Sequence, residues 1–128
     1  MGNGTELGRV RGLGSAKTGT HHWWLQRVTA VGNVLLVVWF VVSLFRLPLG
    51  DHAAVVEWLR SPFTAVPLLL MVANLFWHFR LGLQVVIEDY QHDESKVVAM
   101  VALNFFTIAA AALAVFSILK VAFAGTPA

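Results

Sequence analysis

There is no cysteine anywhere in this chain. That single absence excludes disulfides, thiolate metal sites, cysteine-held iron–sulfur clusters and cysteine nucleophiles together. Charge is scarce as well, at 12% of 128 residues against 58% hydrophobic. A soluble domain of this size cannot hide so much apolar surface in one core. A nucleotide site is excluded too. The stretch GRVRGLGSAKTGT lacks the spaced glycines followed by Lys and Ser or Thr that cradle a phosphate, and no buried strand precedes it. Tyrosine occurs once, as Tyr90, inside the acidic run EDYQHDE.

What the chain does have is length in its apolar runs. A hydrocarbon slab roughly 30 Å thick takes about 20 helical residues. Three runs of that order lie near residues 28–45, 63–87 and 97–119. The fold class that follows is an all-α membrane protein of three transmembrane helices, a single domain over residues 1–128, with spans at about 24–46, 63–88 and 96–120. The first run begins too late for a cleavable leader and reads as a permanent span. It is rich in β-branched residues, yet a helix is the one single segment that satisfies its own backbone in lipid.

Residues 1–22 read as a flexible basic N-terminal arm, because glycine recurs at Gly2, Gly4, Gly8, Gly12, Gly14 and Gly19 with little apolar content to offset the entropy of ordering. Trp23 and Trp24 suit the headgroup level. Between the first two spans, DHAAVVEWLR reads as a short interfacial helix, with Pro62 or Pro67 in the first turn of the second span. The tail and the 88–96 turn carry Arg9, Arg11, Lys17, Arg27 and Lys96, against Arg46, Arg60 and Lys120 on the other side. That bias places the N-terminus in the cytoplasm and the C-terminus outside.

His78 stands inside the second run. At about 100° per residue, Asn74, His78, Gly82, Val85 and Asp89 fall on one stripe of a helix, with Arg80 on the far side. An imidazole at membrane depth must face protein and find a partner. One reading is a neutral histidine hydrogen-bonded to a neighbouring helix. The other is an axial ligand to a haem, a flat disc that needs an imidazole and a bare surface beside it, which Gly82 leaves one turn away. No second axial histidine lies at that level, so a six-coordinate iron takes one from another chain. Tyr90, about 18 Å further along the axis, can donate its phenol to a carbonyl ligand such as a quinone at the interface, with Asp89 orienting it or delivering protons. A small helical transporter or assembly subunit with a proton path through His78 and Asp89, and a purely structural packing protein, are the competing classes. Nothing points to a nucleic-acid partner.

The spacing H-x(3)-G-x(6)-D-Y, here His78, Gly82, Asp89 and Tyr90, resembles that of the small hydrophobic membrane-anchor subunits of bacterial succinate dehydrogenase, respiratory complex II. RVRGLGSAKTGTHHWWLQRVTA, with His21 six residues before Arg27, is similar to their N-terminal segment, and the resemblance covers nearly the whole chain. It implies that His78 is an axial ligand to a haem b shared with a second anchor, the cytochrome b subunit. It also implies that Tyr90 and Asp89 belong to a ubiquinone site, and that Arg27, with His21 as a weaker candidate, lies near the haem propionates. The implied partners are the flavoprotein, the iron–sulfur subunit and the cytochrome b anchor, in a bacterial inner membrane. The implied role is that of a subunit that is not itself catalytic.

Overall fold

A computed structural model of the chain describes residues 5–10, 12 and 17–124. The described residues form α1 (Glu6–Val10), α2 (Gly19–Arg46), α3 (His52–Arg60), α4 (Pro62–Tyr90) and α5 (Asp93–Phe123), with no strand among them. Helices α2, α4 and α5, of 28, 29 and 31 residues, are each long and apolar enough to cross a membrane. The chain is a multi-pass membrane protein.

Local chemistry explains where the helices begin and end. The N–H of Leu47 closes α2 on the carbonyls of Ser43 and Leu44, and Pro48 follows, which cannot continue a helix. Asp51 caps α3 by accepting from the backbone N–H groups of Ala53 and Ala54 at 3.0 and 3.4 Å. Ser61 then ends α3 and starts α4 with no loop between them, and Pro62 occupies the first turn of α4. Pro67 lies inside the helix. At the other end of α4 the turn is two residues long, and Asp93 takes a left-handed φ of 54°. Aspartate tolerates that conformation better than most side chains. Asp93 and Glu94 then face the positive end of the α5 dipole.

Two boundaries differ from the sequence expectation. Glu6–Val10 is helical although the glycine count argues against regular structure throughout the arm. The reason is local: only Gly8 falls within that stretch, and Glu6 sits at the N-terminal turn, where negative charge is favoured. The helix that carries the first span also starts at Gly19, so Gly19 to His22 belong to it rather than to the arm. The expectation of flexibility falls in part on residues 1–4, 11 and 13–16, which lie outside the described residues.

Among the described residues, α4 packs against both α2 and α5, while α3 leans on α4 and α5 and stacks Trp58 on Trp39 of α2 with ring centroids 6.3 Å apart. The interior is thin and made of small or medium side chains: Thr29, Thr64, Ala65, Leu68, Leu81, Leu103 and Thr107. Val31, Val34, Leu35, Val38 and Phe45 on α2 are exposed, as are Phe105, Phe106 and Ile108 on α5. In water that surface would collapse or aggregate. Against acyl chains or another hydrophobic subunit it is the ordinary outside of a membrane helix.

Candidate functional site

Helices α2 and α4 run antiparallel, and polar side chains fix their register. The Thr29 hydroxyl and the Nδ1 of His78 are 2.9 Å apart. Four residues on along α2 and four back along α4, Asn74 Nδ2 donates to Asn33 Oδ1 at 2.8 Å and also to the Thr29 carbonyl at 2.7 Å. Gly32 lies against this amide so closely that a Cβ there would stand 2.9 Å from Asn74 Nδ2. The glycine is what lets the two helices approach. His78 and Asn74, expected on one stripe of α4, thus both face α2.

The proton positions follow from the distances. Thr29 Oγ1 lies 2.7 Å from the Leu25 carbonyl oxygen and 3.1 Å from that of Gln26. Neither carbonyl can donate, so the single hydroxyl proton must lie between Oγ1 and these acceptors. Sending it to His78 instead would leave bare lone pairs facing each other at 2.7 Å. Thr29 is then the acceptor from His78 Nδ1–H, the tautomer that leaves the lone pair on Nε2. Among the described residues Nε2 makes no hydrogen bond. The contact to a neighbouring helix that a merely structural histidine requires is present, yet it uses one nitrogen and leaves the other available.

The surroundings of His78 suit a flat ligand. Gly82, about 40° round the helix and one turn along, has open space where a Cβ would be. On the other flank, Thr29, Leu70, Ala73, Asn74 and Trp77 line a groove of about 360 Å³. A half-buried imidazole with its Nε2 free, a missing side chain beside it and apolar walls form a donor set that fits a b-type haem: one nitrogen for the iron, bare helix surface for the ring.

The other expected residues are placed less centrally. Asp89 and Tyr90 end α4 on its surface, and Tyr90 is 78% exposed. Arg27 is exposed and set about 160° round α2 from Thr29, with its guanidinium 5.4 Å from the centroid of the Trp23 ring. His21 is exposed too. The structure brings none of these four against His78.

Two residues outside the expected site stand out. His22, not His21, lies within about 20° of the Thr29 face of α2, and its Nε2 is buried without a hydrogen-bond partner among the described residues. The seven-residue spacing to Thr29, two helical turns, is the signal that marks it. Arg80 turns to α5, donating from Nε to Asn104 Oδ1 at 2.7 Å, with its guanidinium 5.7 Å from the centroid of Trp77. The one strongly polar side chain of the third span is thus the partner of the intramembrane arginine.

Residues 1–119 match the family model described as succinate dehydrogenase/fumarate reductase transmembrane subunit. The chain is 36% identical over 115 residues to the succinate dehydrogenase hydrophobic membrane anchor subunit of Rickettsia bellii, covering 87% of this chain and 92% of that one. It is 41% identical over 86 residues to the protein of the same name from Rickettsia conorii, covering 66% and 68%. With that of Paracoccus denitrificans it shares 29% over 111 residues, covering 87% and 86%.

Proposed function

Because this chain belongs to the succinate dehydrogenase/fumarate reductase transmembrane subunit family, we propose that, as a membrane anchor of succinate dehydrogenase, it holds one side of a haem b through His78 and lends Tyr90 and Asp89 to a ubiquinone site. The observation that carries this reading is the state of the imidazole. Its Nδ1 is committed to Thr29 at 2.9 Å and its Nε2 has no partner among the described residues, beside the open surface of Gly82.

A b-type haem supplies reversible one-electron chemistry when bound. His78 would offer Nε2 to the iron from within the membrane, and the α2–α4 seam keeps the ring from turning. A second ligand for the iron would have to come from another chain, since no other histidine of this one lies at that depth. Arg27 and His21, both exposed at the tail end of α2, would reach propionates only of a group shared with a neighbouring subunit, not one enclosed by this chain. Tyr90 and Asp89 end α4 on the same side of the membrane as the tail, where a quinone carbonyl can meet the phenol. The isolated chain has no flavin or cluster motif and is not catalytic by itself. Its membrane is the bacterial inner membrane with the N-terminus cytoplasmic, and its partners are the flavoprotein, the iron–sulfur subunit and the cytochrome b anchor.

His78→Ala in the assembled complex tests the reading. Loss or displacement of the b-type absorbance at unchanged subunit stoichiometry is the expected result. A variant complex with the parental haem spectrum and content would remove His78 from the iron.

A further inference from the structure

We propose that Thr29 is the positioning residue for the haem ligand: its hydroxyl fixes the ring plane and tautomer of His78 and sets how strongly Nε2 donates to iron. The inference rests on the reading of His78 as an axial ligand and adds a residue that the motif spacing does not contain.

Thr29 is only 6% exposed, and both its hydroxyl and its carbonyl are engaged. The hydroxyl donates back to the Leu25 carbonyl at 2.7 Å and accepts from His78 Nδ1 at 2.9 Å, and the Thr29 carbonyl accepts from Asn74 Nδ2 at 2.7 Å. A hydroxyl whose own proton is taken can only accept from the ring, so it selects the Nδ1–H tautomer. The Asn74 bond holds the Thr29 backbone against α4, which removes the slack that would let the acceptor drift. The ring is therefore locked in rotation about its Cβ–Cγ bond, with Nε2 aimed along one direction.

Such a second contact also acts on the iron. Hydrogen bonding from Nδ1–H raises the basicity of the ligating nitrogen. A more basic axial ligand favours the ferric over the ferrous state and lowers the reduction potential. Thr29 is then a lever on the potential of a group that it does not touch.

The test compares Thr29→Val, which keeps the shape and loses the hydroxyl, with Thr29→Ser, which keeps the hydroxyl, in the assembled complex. A redox titration followed at the haem absorbance reads the midpoint potential, and low-temperature electron paramagnetic resonance reads the axial-ring geometry. The expected result is a potential shifted positive and a displaced low-spin signal in the valine variant, with both parental in the serine variant. Asn33→Ala, which breaks the neighbouring interhelical bond and spares the hydroxyl, controls for packing. Should the valine variant lose haem outright while Asn33→Ala and Thr29→Ser keep it, the inference also holds. A valine variant with parental potential and signal overturns it, and so does an Asn33→Ala variant that loses or shifts the haem equally. His78→Ala separates the levels: a variant that keeps its haem ends the ligand reading itself, whereas haem loss there with a parental Thr29→Val ends only the role of Thr29.

Discussion

Tyr90 stands twelve residues beyond His78 and is 78% exposed at the last position of α4. Its hydroxyl makes no hydrogen bond among the described residues and is open to a partner at the surface. On the proposed reading Tyr90→Phe removes one hydrogen bond to a quinone carbonyl. It is expected to lower quinone reduction by about tenfold, the equivalent of about 1.4 kcal/mol, while succinate oxidation by an artificial dye acceptor stays at the parental rate. Equal loss of both activities would trace the effect to assembly, and no loss in either would leave the phenol without a role. His78 stands out in the sequence as an imidazole at membrane depth and Tyr90 as the one tyrosine, with Gly82 and Asp89 on the stripe of His78. Thr29 could not. A threonine in a membrane helix ordinarily bonds to its own backbone four residues back, as Thr107 does to the Leu103 carbonyl at 2.7 Å, and only the neighbouring helix reveals a second partner.

The pairing of α2 with α4 depends on a missing side chain. An alanine Cβ at Gly32 would meet Asn74 Nδ2 at 2.9 Å and its Cγ and Oδ1 at 3.3 Å. That amide cannot yield freely, since it donates to both the Thr29 carbonyl and Asn33. Gly32→Ala is expected to destabilise the assembled complex by about 1–3 kcal/mol through overpacking and lost hydrogen bonds, read as a lowered thermal midpoint in detergent. In an Asn74→Ala background, where the obstructing amide is gone, the same substitution should cost much less, and equal costs in both backgrounds would break the proposed coupling. Helix boundaries were legible within a few residues because Pro48, Asp51, Ser61 and Pro62 punctuate the chain by known stereochemistry. The start of α2 was not, since the glycines that argue against helix stop at Gly19, and the two exposed tryptophans that follow suit helix and interface alike. Periodicity alone puts Arg80 on the far side of α4 from His78. Its partner, Asn104, needed the fold, because the two lie on consecutive helices whose facing sides depend on rotation about each axis.

Taken whole, the molecule is incomplete by itself. Its buried residues are few, and the exposed faces of α2 and α5 are apolar over most of their length. On the proposed reading His78 supplies one of the two ligands that a six-coordinate iron takes, and the one tyrosine lies at an exposed edge. These features agree with a subunit built to be finished by its neighbours, as the membrane-anchor family to which it belongs requires. The most direct measurement is a high-resolution cryo-electron-microscopy map of the assembled complex in lipid. The expected density is a porphyrin seated over Gly82, with His78 Nε2 on the iron, Nδ1 on the Thr29 hydroxyl and a histidine of a second anchor chain on the opposite face. A map that shows the His78 ring packed against acyl chains or protein, with no porphyrin at its Nε2, would contradict it.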